Sequence, residues 1–286
     1  MHTIKNKNIE ATINPVGAEL SSLKINEREY LWHGDEKYWS GRAPILFPIV
    51  GALKEGRMSY QGADYQMGRH GFAKHATFEC IASSSTSISM RLQSDSLTLQ
   101  QYPWQFELLV HFILNDSGMD IRYEVINRDD KPMLFTIGSH PAFALDINDP
   151  AELADYTIMI DQSEPLHRYD LYESGLLNTV AEPHASEFSL SETLFNNDAL
   201  VFRDITAESV KLSHKGQTML TVNTGGAPHL GIWSKPGAPY VCIEPWLATC
   251  DFADSDNQFE NKPDLKSLEP GDTYEHSIGI VFPKSD

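Results

Sequence analysis

The chain has 286 residues, of which 40 are Asp or Glu and 22 are Lys or Arg, for a formal charge of −18. Nucleic acids and anionic membranes are bound through clustered positive charge, so neither is expected as a partner. An apolar fraction of 41% with 10% aromatics supplies a packed core and excludes disorder.

The opening MHTIKNKNIEATI lacks the continuous apolar core of a secretory signal. Apolar runs such as residues 44–50 are short and broken by proline, whereas a membrane span needs ~18 apolar residues. Residues 87–92 alternate apolar and polar side chains, as do 106–114 and 119–126; in the last of these Ile121, Tyr123 and Val125 share one face. Between the second and third runs lies Asn115-Asp116-Ser117-Gly118, whose residues tolerate tight-turn angles, so the pair reads as a hairpin. Further strand candidates are 134–137, 156–160, 210–212, 219–222, 240–243 and 276–281. Almost no convincing helical stripe competes with them, and the pattern predicts an all-β sandwich or barrel.

No Pro/Gly/Ser-rich linker, composition shift or repeat divides the sequence, so one domain over 1–286 is expected; β-rich domains often reach roughly 200–250 residues. The serine cluster at 83–87 reads as a solvated connection between strands. Residues 244–276 hold nine acidic groups and two lysines, net −7, and read as a long exposed loop. The odd set Cys80, Cys242 and Cys250 contains no CxxC pair, which favours reduced thiols in a cytoplasm, with Cys242 a small buried hydrophobe.

Motif searches find no GxSxG, HExxH or GxGxxG. Residues 51–58 have phosphate-loop glycine spacing without its Lys-Ser/Thr, and Asp251, Asp254 and Asp256 lack EF-hand spacing and glycine. No metal is expected, and His70 and His75 carry no ligand pattern of their own.

Two ionisable residues stand out. In Gly138-Ser139-His140-Pro141 and Cys242-Ile243-Glu244-Pro245, an apolar strand runs into a titratable side chain just before proline. Proline biases the preceding residue towards extended geometry, which places His140 and Glu244 at strand ends. An imidazole donates and a carboxylate accepts a proton near neutrality. A hydrogen-bonded core histidine and a structural acceptor fit equally well, because a separation of 104 positions says nothing about distance.

Residues 41–51, 69–73, 138–143, 197–200, 230–234, 242–246 and 268–271, in that order, resemble the aldose 1-epimerase (galactose mutarotase-like) family, and in particular the branch often encoded in bacterial lactose operons. The resemblance runs from about residue 10 to the C-terminus. It implies a large antiparallel β-sandwich, the galactose mutarotase-like supersandwich, with a sugar site on one sheet. By the same resemblance His140 is the general acid and Glu244 the general base for opening and reclosing a pyranose ring, with no cofactor. His70 contacts sugar oxygen, Asp198 grips hydroxyls and Arg42 lies at the pocket edge. Trp233 and Trp246 stack on the sugar or belong to the core. The implied activity is an isomerase, a mutarotase for a free aldohexose in carbohydrate metabolism.

The resemblance departs at Lys74, where related sugar-6-phosphate epimerases tend to carry arginine; lysine neutralises phosphate without a bidentate fork. A hexose-6-phosphate epimerase and a non-catalytic carbohydrate-binding protein are the alternatives. A glycoside hydrolase ranks last, since it usually needs two facing carboxylates.

Overall fold

The computed structural model describes residues 1–172 and 174–283; the rest of the 1–286 span lies outside the described residues. Among the described residues the structure is strand and loop, and its helical turns are 3₁₀ segments of three to six residues. The nine-stranded sheet contains the predicted hairpin, Phe106–Leu114 and Gly118–Asn127, with Leu114 opposite Met119 and Phe106 opposite Asn127. Ser87–Gln93 and Glu79–Ser83 extend it on one side, and Thr273–Val281, Gln217–Asn223, Ser209–His214, Tyr156–Ile160 and Glu187–Ser189 on the other. The serine cluster joins Glu79–Ser83 to Ser87–Gln93, with residues 83–85 exposed and 86–87 half-buried. The candidate at 134–137 forms a strand only as Met133–Phe135, paired with Lys266–Leu268.

An eight-stranded antiparallel sheet lies opposite. Its order is Leu177–His184, Leu166–Leu171, Leu200–Arg203, His229–Trp233, Tyr240–Trp246, Gly138–Ser139 and Ile45–Leu46, with Ala142–Ala144 also paired to Tyr240–Trp246. Leu108, Val110, Ile121, Val125 and Ile280 of the first sheet share one apolar cluster with Leu200, Phe202, Leu230, Ile232, Val241 and Ile243 of the second. Apolar inner faces meeting across a common core make a β-sandwich. The period-two rule then decides where the chemistry lies. With Val241 and Ile243 turned into the core, Cys242, Glu244 and Trp246 emerge on the opposite, loop-covered face, as does Val201 between Leu200 and Phe202.

Two expectations need correction. Glu244 is inside a strand, not at its end, because Tyr240–Trp246 continues through Pro245. The ladder explains why. Ile243 and Leu247 donate their N–H groups to Pro141 and Ile137, so the nitrogen of Pro245 faces the same side. There the partner chain breaks between Gly138–Ser139 and Ala142–Ala144, so no hydrogen bond is forfeited. Secondly, residues 244–276 are not simply an exposed acidic loop. Asp251 and Lys262 are both buried, their charged atoms 2.8 Å apart, and Lys262 Nζ also donates to the Thr249 carbonyl.

Candidate active site

His140 sits at the break in the sheet. Tyr123 reaches across the sandwich and shares a 2.8 Å hydrogen bond with the hydroxyl of Ser139, fixing the backbone just before the imidazole. The neighbouring strand carries Glu244, and His140 Nε2 lies 3.2 Å from Glu244 Oε2. Both side chains are buried, at 9% and 1% residual exposure, on the wall of a cavity of about 530 Å³.

Burial disfavours charge on each partner. The His140 imidazole is lowered to about 3, chiefly by desolvation and then by the positive charges of Lys74 and Arg69. The Glu244 carboxyl is raised well above the usual carboxylate range by burial and by the Asp198 charge, against opposition from the Trp246 indole N–H and Arg69. That indole nitrogen reaches no partner in standard hydrogen-bond geometry, so its influence is that of a nearby dipole. Burial thus opposes both the imidazolium and the carboxylate, and at 3.2 Å the two groups titrate as a coupled unit.

His70 stands edge-on to His140, ring centroids 5.6 Å apart. Its Nδ1 accepts the Gly51 N–H at 3.0 Å, so in the neutral ring the proton is on Nε2. Burial, followed by His140 and the cations at 74 and 69, holds His70 well below the ordinary histidine range. Its φ of +68° and that of +69° at Gly71 turn the chain sharply. A β-carbon at Gly71 would come 2.2 Å from the Phe47 carbonyl oxygen, so this turn requires glycine.

Lys74 and Asp198 also line the cavity. Lys74 Nζ donates to the Arg69 carbonyl at 2.9 Å, and its pKa is lowered by burial and by Arg69. Asp198 accepts its neighbour's amide at 2.9 Å and faces Arg69 Nη1 at 3.4 Å. Arg42 is the exception among the expected residues and does not line the cavity. Its guanidinium donates to the Ser21 carbonyl at 2.9 Å, and its backbone N–H to Glu19. The satisfied backbone carbonyl draws the side chain away from the edge.

Three tryptophans shape the remaining wall. Trp39 lies against His140, centroids 5.0 Å apart, and meets Trp233 edge-on. Trp246 fits between strands because two neighbours are glycine: a β-carbon at Gly231 would come 2.5 Å from its ring, and one at Gly138 2.6 Å. Sequence reasoning missed Trp39 and Glu19. The signal for Trp39 was Gly41, where a β-carbon would strike the indole at 2.4 Å; for Glu19 there was none. Cys242, expected as a buried hydrophobe, is buried, but its sulfur lies with His140 and Glu244 donor atoms all within 4.8 Å of one another. Among the described residues these three are the group of side chains close enough together to ligate a metal ion. Burial and then Glu244 push the thiol pKa well up, so at neutral pH it faces the pair as an uncharged S–H.

Acid should destabilise this arrangement. His140 and His276, lowered to about 3 and about 4, stay neutral in the fold where the unfolded chain would protonate near 6.5. Their contribution is present above pH 6.5 and is lost as pH falls through the window down to those values. Urea midpoints measured from pH 7 to 4 are expected to drop, and a His276→Gln variant to drop less steeply.

A family profile described as aldose 1-epimerase matches residues 1–281. Protein LacX, chromosomal, of Lactococcus lactis subsp. lactis is 30% identical over 293 residues, covering 98% of each chain. Among solved structures, a galactose mutarotase related enzyme from Lactobacillus acidophilus is 32% identical with a TM-score of 0.92, covering 99% of this chain and 97% of that one. A galactose mutarotase-like protein from Lactobacillus casei ATCC 334 is 27% identical, also with a TM-score of 0.92, over 99% and 100% of the two chains.

Proposed function

We propose that this chain, which belongs to the aldose 1-epimerase family, interconverts the α and β anomers of a free aldohexose through the His140–Glu244 pair. The 3.2 Å separation of His140 Nε2 and Glu244 Oε2 on a cavity wall carries the reading. Ring oxygen and anomeric hydroxyl are bonded to the same carbon, so the groups serving them must be neighbours. In the productive form His140 carries the proton to be donated and Glu244 is ionised. Glu244 takes the proton of the anomeric hydroxyl while His140 gives its proton to the ring oxygen. The C1–O5 bonding pair leaves with O5, C1 becomes a carbonyl carbon, rotation about C1–C2 presents the other face, and the transfers reverse. Each contributes about 10²–10⁴-fold. The Nε2–H of His70 is a donor for a sugar oxygen, and Asp198 an acceptor for a hydroxyl. The proposal takes 1–286 as one domain acting in the cytoplasm with no cofactor; no disulfide joins Cys80, Cys242 and Cys250.

Optical rotation of a freshly dissolved pure anomer tests it. Equilibration should accelerate in proportion to protein; sugar affinity without acceleration would identify a binding protein instead. The coupled pair also predicts the pH profile. Since His140 gains a second proton only near pH 3, kcat/KM, corrected for buffer catalysis, should show no loss through pH 6.5. It should fall on the alkaline side as the pair loses the proton that His140 must donate.

One observation favours a second reading, a hexose-6-phosphate epimerase: Arg69 and Lys74 both line the cavity. Each already has a protein partner, Asp198 and the Arg69 carbonyl respectively, which ranks this second. Anomer-exchange NMR on Lys74→Ala separates the two. The free-sugar reading expects less than about threefold change with glucose; a selective loss on the order of 10- to 100-fold with glucose-6-phosphate would favour the phosphate substrate.

A further inference from the structure

We infer that Glu19 is a second gripping point of the cavity, whose carboxylate accepts a hydrogen bond from a sugar hydroxyl away from the reacting carbon. The inference rests on reading the cavity as a sugar site. Glu19 opens the strand Glu19–Ile25 and is the single cavity-lining residue, among those described, contributed by the N-terminal four-stranded sheet. It enters beside Trp39, Ser40 and Gly41.

Its two oxygens have different surroundings. Oε1 accepts the backbone N–H groups of Arg42 at 2.8 Å and Ala43 at 3.1 Å. Both hydrogen bonds to the carboxylate from described residues go to Oε1, and none to Oε2. Among the described residues Glu19 forms no ion pair; its neighbour Arg42 turns Nη1 to the Ser21 carbonyl instead. The two amides hold the side chain in one orientation, so the free oxygen is positioned before any ligand arrives. A fixed carboxylate oxygen with no protein donor suits a neutral hydroxyl, which gives a charge-assisted bond. It repels a phosphate or carboxylate at the same place, so Glu19 selects for a neutral polyol there.

An enzyme–substrate double-mutant cycle tests this. Wild type and Glu19→Gln are compared on one aldose and its 2-, 3-, 4- and 6-deoxy analogues. Glutamine retains an acceptor for the two amides but replaces the free oxygen by a donor. Glu19→Gln should lose on the order of 10- to 100-fold in kcat/KM on the parent sugar. One deoxy analogue should lose comparably with wild type, and Glu19→Gln should show no further loss with that analogue. Losses that multiply for every analogue, or a Gln variant as fast as wild type, would overturn the inference. So would rate losses in Glu19→Gln and Glu19→Ala that merely track their thermal stabilities. If wild type accelerated no aldose, the catalytic reading itself would fail, a result distinct from any of these.

Discussion

Glu244→Gln is expected to slow anomer interconversion by about 10²–10⁴-fold while leaving the sandwich intact. The amide cannot accept the proton of the anomeric hydroxyl, yet it fills nearly the same volume beside His140. The substitution should also raise stability at neutral pH. Below the unfolded value of 4.5, the carboxyl is protonated whether the chain is folded or not. Above it the unfolded chain ionises freely, whereas the buried side chain resists, so stability falls as pH rises towards the raised folded pKa. Glutamine does not titrate and escapes that loss. Urea midpoints should coincide near pH 4 and favour the variant at pH 7. Full residual activity would remove Glu244 from the chemistry; lower stability at pH 7 would mean its neighbours favour the charged form.

Lys262→Met should cost about 3–5 kcal/mol, because it leaves the buried carboxylate of Asp251 without its cation. Lys262 Nζ and Asp251 Oδ1 are 2.8 Å apart, and Asp251 Oδ2 accepts the Lys54 N–H at 2.9 Å. Replacing both partners, as Asp251→Asn with Lys262→Met, should recover part of the loss. The effect should extend to the site. The Asp251 amide donates to the Ala52 carbonyl, and the adjoining Gly51 holds Nδ1 of His70. Thermal unfolding and kcat/KM on the same preparations would measure both, and a drop below about 1 kcal/mol would show that water or backbone groups satisfy Asp251 unaided.

Alternation along strands such as 106–114 and 119–126 made the all-β fold legible, since burial on one face imposes a period of two directly on the sequence. His140 and Glu244 were conspicuous because each precedes a proline. Their approach to 3.2 Å was not readable, since it depends on the order of Gly138–Ser139 and Tyr240–Trp246 in the sheet. Arg42 misled because sequence carries residue type but not rotamer, and a backbone carbonyl outbid the cavity for its guanidinium. Glu19 left no trace: its place depends on two amides more than twenty positions away. The −7 of residues 244–276 concealed a buried ion pair because net charge does not distinguish inward from outward side chains.

The two-faced strand at 240–246 has a consequence for how such a protein changes over generations. Val241 and Ile243 answer to the interior, whereas Glu244 and Trp246, on the other face, answer to whatever enters the cavity. Adjacent codons thus come under separate selective demands. Ligand preference can drift through the outward set while the inward set keeps the scaffold, so binding and folding are free to evolve at different speeds within seven residues.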